Sequence, residues 1–157
     1  MDRRALLAAL AAAPWIPLTA RAHHGWSSFD QDRPLYLEGR ALKVSWRNPH
    51  AELDLELPER PVLPADLAQR TLPAQTTAVD GASLLAKAQL PTRRDRRWEV
   101  ELAPLTRLES WRVAEIKPGT ALSVIGFAAP GEQGAAVLRA EYLFVDGKAY
   151  GLRSSPA

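Results

Sequence analysis

The chain contains three histidines, His23, His24 and His50, and no cysteine. Two of them are adjacent and follow directly on Ala20-Arg21-Ala22. Small residues at the first and third positions of an A-x-A triplet are what signal peptidase reads. Cleavage after Ala22 would leave His23 as residue one, with a free α-amine beside its imidazole. The amine and Nδ1 of one residue can chelate a metal in two positions, and a nitrogen from His50 would complete a T-shaped site. Alternatively, the amine, the backbone amide of His24 and the His24 imidazole chelate on their own. Amine and imidazole nitrogens suit Cu(II) and similar divalent transition ions. The third residue of such a mature chain is Gly25, so the terminal Cu(II)/Ni(II) motif with histidine in third place is absent. Asp30 and Asp32 are candidate oxygen ligands or outer partners of the site. Trp26 is a candidate shield for the metal, or an anchor for the N-terminal arm. The competing reading is an exposed His-His tail, with His50 merely capping the Asn48-Pro49 turn. Protonation competes with metal for these nitrogens, so affinity should fall below about pH 6.

Other chemistry is sparse. The single methionine is Met1, so with cysteine absent a soft sulfur site for Cu(I) cannot be built and any metal must use nitrogen and oxygen. No nucleophile-elbow, Walker, zincin or dinucleotide fingerprint is present. The expectation leans away from an enzyme. Arg93-Arg94-Asp95-Arg96-Arg97 could meet an anionic headgroup or phosphate, but a solvated loop end explains it better. Glu52, Asp54 and Glu56 line one strand face as an acidic ridge or simply a solvated surface. Trp46 and Trp98 follow the inward parity of their strands, which favours core packing over base or sugar stacking.

Residues 1–22 read as a secretory leader. Met1-Asp2-Arg3-Arg4 is a basic n-region, Ala5 to Leu18 is a short apolar h-region, and the cleavage triplet follows. The h-region is shorter than the roughly 20 residues of a membrane span, and Pro14 and Pro17 interrupt it. No transmembrane segment is expected in the mature chain. Arg3-Arg4 is an incomplete twin-arginine signal, which leaves both the Sec and Tat routes open. Taking 22 residues from 157 leaves 135, enough for one domain with a real core. The leader holds Arg3, Arg4 and Arg21 against Asp2. The totals of 20 basic and 18 acidic residues therefore become 17 and 17. A neutral mature chain offers no global positive field for nucleic acid.

The elements that must carry the histidines read as strands. From Leu35 to Trp46 the apolar residues are Leu35 and Leu37, then Leu42, Val44 and Trp46; the parity switch predicts a β-bulge around Gly39-Arg40. After the Arg47-Asn48-Pro49 turn, His50 to Leu57 alternates strictly. Trp98, Val100 and Leu102 mark a third strand, and Leu105, Leu108 and Trp111 a short helix. Lys117-Pro118-Gly119 is a turn, Ala121 to Phe127 a buried strand, and Val137 to Val145 a further strand. Asp146-Gly147 is a hairpin signal leading into Lys148 to Leu152. The fold expected is mainly β: a small OB-like five-stranded barrel with one short helix between strands 3 and 4. A small open β-sandwich is the alternative. Residues 23–157 form one domain in this reading. It is interrupted at about 58–96 by a Pro-rich insertion with a possible helix from Gly81 to Leu90, expected as a flexible excursion.

These motifs resemble a family of small secreted proteobacterial proteins of unknown function. The matching features are His23-His24-Gly25-Trp26-Ser27-Ser28-Phe29-Asp30, the Leu37 to Trp46 strand, Asn48-Pro49-His50, Trp98 to Glu101, Lys117-Pro118-Gly119 and Asp146-Gly147. The resemblance leaves out roughly residues 58–96. It implies export and a small β-fold, and it brings no established activity.

The function expected is that of an exported periplasmic protein that binds a small ligand, foremost Cu(II), through His23 with His24 and His50. The alternative is a non-metal binding or scaffold module of the envelope that meets a protein or glycan. A weaker third reading is a copper oxidase of the histidine-brace type.

Overall fold

The computed structural model describes residues 25–157. The leader, the cleavage triplet and His23-His24 lie outside the described residues. Among the described residues six strands form one sheet: β1 (Leu35–Ser45), β2 (Glu52–Glu56), β3 (Arg97–Glu101), β4 (Ala121–Phe127), β5 (Val137–Val145) and β6 (Lys148–Gly151). The order is β3-β2-β1-β4-β5-β6, and a parallel pairing of β3 with β5 closes the first five into a barrel. Every other pairing between these strands is antiparallel. Among the described residues two α-helices form: α1 (Gly81–Lys87) between β2 and β3, and α2 (Leu105–Ser110) between β3 and β4. This is the OB-like barrel expected, with α2 as the helix between strands 3 and 4. No helix among the described residues is long and apolar enough to cross a membrane.

The alternation of the strands fills the barrel. Leu53 faces Val100, Leu55 faces Trp98 and Val100 faces Leu138 in register, and all of these are buried. On the other side Leu37 meets Val124, and Val124 meets Leu143. Removing this apolar surface from water is the main driving force for closure.

The bulge in β1 falls later than the sequence suggests. The register with β2 shifts between Ala41 and Lys43, so Leu42 is the extra residue. Ala41 is buried, while Leu42 is only half-buried and stays out of the core cluster. Gly39 serves another purpose. Arg40 pairs with both Ala121 of β4 and Glu56 of β2, so β1 changes partners here. A Cβ on Gly39 would overlap the carbonyl of Glu56. The glycine permits this close backbone approach.

The turn between β1 and β2 contains a cis Asn48-Pro49 bond. Asn48 Oδ1 accepts from the Leu105 amide at 3.2 Å. That satisfies one of the free amides at the start of α2, whose own N-cap, Pro104, offers no side-chain bond. The other turns follow their residues. Asp146 and Gly147 take φ of 52° and 70°, the pattern of a tight two-residue hairpin.

Residues 58–96 pack against the barrel instead of forming a loose excursion. Leu67, Leu85 and Ala88 bury themselves on Tyr36 and Ile125, with Leu72, Leu90 and Phe144 around them. Tyr36, Ile125 and Phe144 are the outward residues of β1, β4 and β5. The near-continuous apolar run of β4 is therefore buried on both faces, by the barrel interior and by this cap. α1 starts where Asp80 accepts the Ser83 amide at 2.9 Å.

The end of the cap is pinned by a buried carboxylate. Glu132 Oε1 and Oε2 accept the Thr92 amide at 3.0 and 3.1 Å, and Oε2 accepts the Arg93 amide at 3.0 Å. Arg33 Nη1 lies 2.8 Å from Oε1, and the glutamate side chain is only 3% exposed. Burial pushes the Glu132 pKa up, but the two amides and Arg33 outweigh it and hold it below the ordinary value. A depressed folded pKa gives stability that is complete above the unfolded value of about 4.3 and is lost as pH falls through the folded value. Glu132→Gln is therefore expected to cost about 2 kcal/mol at pH 7. It should also flatten the loss of stability below about pH 4. Urea melts of both proteins from pH 7 down to pH 3 check this; parallel pH profiles would contradict it.

Candidate functional site

One end of the barrel gathers a polar cluster beneath the first described residues. The short 3-10 turn Trp26–Ser28 lies against the barrel, Phe29 is buried, and the Asp30 amide donates to the Ala128 carbonyl at 2.9 Å. The Trp26 ring meets Phe127 edge-on, with centroids 6.3 Å apart. Two guanidinium groups also lie on that ring, Arg153 at 3.7 Å and Arg139 at 4.9 Å from its centroid. Each such contact adds roughly 0.5–2 kcal/mol. Trp26 thus anchors the N-terminal arm.

Arg139 is 5% exposed and links the arm to the third histidine. Its Nη1 lies 3.4 Å from Glu101 Oε2, across the parallel β3–β5 seam where these residues are in register. Its Nη2 lies 3.4 Å from His50 Nε2. An arginine has no acceptor, so this contact uses the Nε2 lone pair of His50. Burial pushes the Arg139 pKa down; Glu101 opposes this, while Arg107 and Arg153 reinforce it. The guanidinium nevertheless remains charged.

A second ion pair, with a buried carboxylate, stands beside the first. The register between β4 and β5 shifts so that Glu141 is the extra residue. Bulges re-aim side chains in this way. Glu141 is fully buried, and its Oε2 lies 2.6 Å from Arg153 Nη2 and 2.8 Å from Arg153 Nε. Arg153 Nη2 also donates to Gln31 Oε1 at 2.9 Å. Gln75 reaches Glu141 with Nε2 at 3.5 Å and accepts the Ser154 amide at 3.0 Å. Trp111 Nε1 donates to the Ser154 carbonyl at 2.8 Å, and Arg107 Nη1 to the Leu152 carbonyl at 3.0 Å. Among the described residues no buried side-chain nitrogen or oxygen lacks a partner.

The candidate ligands fare differently. His50 and Trp26 come together at this corner through Arg139. Asp30 Oδ1 accepts the Asp32 amide at 3.2 Å and so stabilises the local turn, and Asp32 is exposed. Among the described residues no group of three or more His, Asp and Glu side chains could hold a metal ion. His23 and His24, the other two histidines of the chain, lie outside the described residues.

The other sequence features have structural roles. Trp98 is buried, with Nε1 donating to the Asp95 carbonyl at 3.1 Å. Trp46 is half-buried against the core. Within the basic run, Arg93 pairs with Asp95 at 2.7 Å and donates to the carbonyls of Glu132 and Gly134. The acidic ridge is flanked by Lys43, which is in register with Asp54. Sequence reasoning missed Arg139, Glu101, Glu141 and Arg153. A signal existed, because Arg139 and Glu141 interrupt the otherwise apolar run of β5.

Residues 12–62 match a family of unknown function (DUF6152). The matched stretch includes all three histidines, Trp26, β1 and β2, and stops before β3. No curated protein and no solved structure matches the chain.

Proposed function

We propose that this chain is an exported periplasmic protein, released by cleavage after Ala22, that binds Cu(II) or a similar divalent ion at its new N-terminus. The α-amine and imidazole of His23 form the chelate, and His24 and His50 supply further nitrogens. The role is metal handling or delivery. The observation that carries the reading is the docking of Trp26 on Arg139, which also contacts His50. Only two residues separate Gly25 from the new terminus, at most roughly 7 Å of extended chain. That short tether supports a site shared by His23, His24 and His50. The absence of cysteine, and of any methionine besides Met1, fits a nitrogen and oxygen donor set.

A metal held by His50 would compete with Arg139 for the Nε2 lone pair, and Glu101 would remain as the partner of the guanidinium. His50→Ala is expected to weaken Cu(II) binding by at least about tenfold, the scale on which lost support at a metal site is felt. Competition titration against a chelator of known affinity measures it. An unchanged affinity would reduce the site to the terminal chelate of His23 and His24. Intact-mass analysis showing a start other than His23 would remove the amine on which the reading depends.

A further inference from the structure

The outer side of β1 carries a feature that the histidine corner does not use. A trough of about 460 Å³ runs between β1, the end of β2 and the first residues of the 58–96 cap. That volume lies within the ~300–1,000 Å³ of small-molecule pockets. Its lining includes none of Trp26, His50, Arg139 or Arg153. Tyr36, Leu37 and Leu57 are buried at its floor, and Val62 flanks it. Val62 is 71% exposed. A single exposed apolar residue is ordinary; this one borders a concave apolar surface.

The rim decides what chemistry fits. Arg40, Arg60 and Arg96 line the trough against Glu38 and Glu56. Glu38 is occupied, accepting the Tyr36 hydroxyl at 2.6 Å. Arg40 donates to the Gly119 carbonyl and Arg96 to the Leu57 carbonyl. A guanidinium has five N–H donors, so each retains others for a ligand. Arg60 makes no hydrogen bond or ion pair among the described residues. An apolar floor with surplus arginine donors at its edge matches an aliphatic body with one carboxylate head, which arginine binds through paired N–H groups.

We propose that this trough is a binding site for a medium-chain aliphatic carboxylate, with Arg60 meeting the head group and Val62 packing on the chain. Octanoate and octanol are the probes, titrated into the exported protein and followed by amide chemical shifts. Octanoate is expected to shift the amides of Gly39, Arg60 and Val62 saturably, with a Kd on the order of 0.1–1 mM, as its size allows. Octanol should bind about tenfold weaker for want of the charge-assisted bonds. Arg60→Gln should remove most of the difference between the two probes, and Val62→Asp should weaken both. Both side chains are exposed, so unchanged melting temperatures will show that the variants fold. Three results would overturn the proposal: no saturable octanoate shift at these residues below about 5 mM, equal binding of octanol, or binding indifferent to both substitutions.

Discussion

Trp98→Ala is expected to lower stability by about 3–5 kcal/mol, enough to leave a substantial unfolded fraction at 37 °C. Trp98 is the largest fully buried side chain of the barrel, at 0% exposure. It lies opposite Leu55 in register, Arg93 lies 5.6 Å from its ring centroid, and its Nε1 is bonded to the Asp95 carbonyl. Alanine leaves a cavity bounded by β2, β3 and β5, whose strands are locked by the closed pairing and cannot collapse inward. Trp46→Ala is the comparison. That ring is half-buried at the end of β1, and its loss should cost only about 1–2 kcal/mol. Thermal and urea melts followed by near-ultraviolet circular dichroism separate the two. If Trp98→Ala cost no more than Trp46→Ala, the Trp98 ring would not be packed inside a closed barrel.

The second large effect belongs to Arg139. Arg139→Met removes the cation beside Glu101, whose side chain is 8% exposed, and leaves a carboxylate largely cut off from water. Removing one member of a buried pair costs up to about 3–5 kcal/mol, because the remaining charge loses its counter-ion. Replacing both is milder. The double variant Arg139→Met, Glu101→Leu should recover most of that loss, since neither desolvation cost remains. Arg139→Met also takes away one of the two guanidinium contacts on Trp26 and the hydrogen bond at His50 Nε2. Tryptophan emission should then shift to longer wavelength in both variants, while stability returns only in the double one. A double variant no more stable than the single would show that the loss lies in packing rather than in the stranded charge.

Much of the barrel was legible in the chain because period-two alternation determines which residues face inward. β4 and β5 fall on the residues expected, and the helix over Leu105, Leu108 and Trp111 forms with its first two in α2 (Leu105–Ser110). The β1 bulge falls at Leu42 and not at Gly39 for a physical reason. Gly39 gives a strong local signal for a bulge, but its role is the close passage of β1 over Glu56, and the extra residue is Leu42. The packing of the cap is not legible in the chain, because proline content marks irregular backbone without saying whether that backbone is covered. Leu67, Leu85 and Ala88 are too widely spaced to announce a common face until they meet Tyr36 and Ile125.

At the corner, His50 and Trp26 stood out by residue type. Their junction did not, because it runs through Arg139, 89 residues after His50. The pairing of Arg139 with Glu101 depends on the parallel seam that closes the barrel. No local pattern encodes that seam. The charges of β5 were the available clue: inside an otherwise apolar strand, Arg139 and Glu141 must find partners on folding.

The most direct measurement is a Cu(II) titration of untagged protein purified from the periplasm, its N-terminus fixed by intact mass and the metal followed by electron paramagnetic resonance. One equivalent of a type-2 signal with several nitrogen couplings, lost in His23→Ala, is expected. Protein that begins at His23 and takes up no stoichiometric Cu(II), or that binds it unchanged in His23→Ala, would contradict the proposed site.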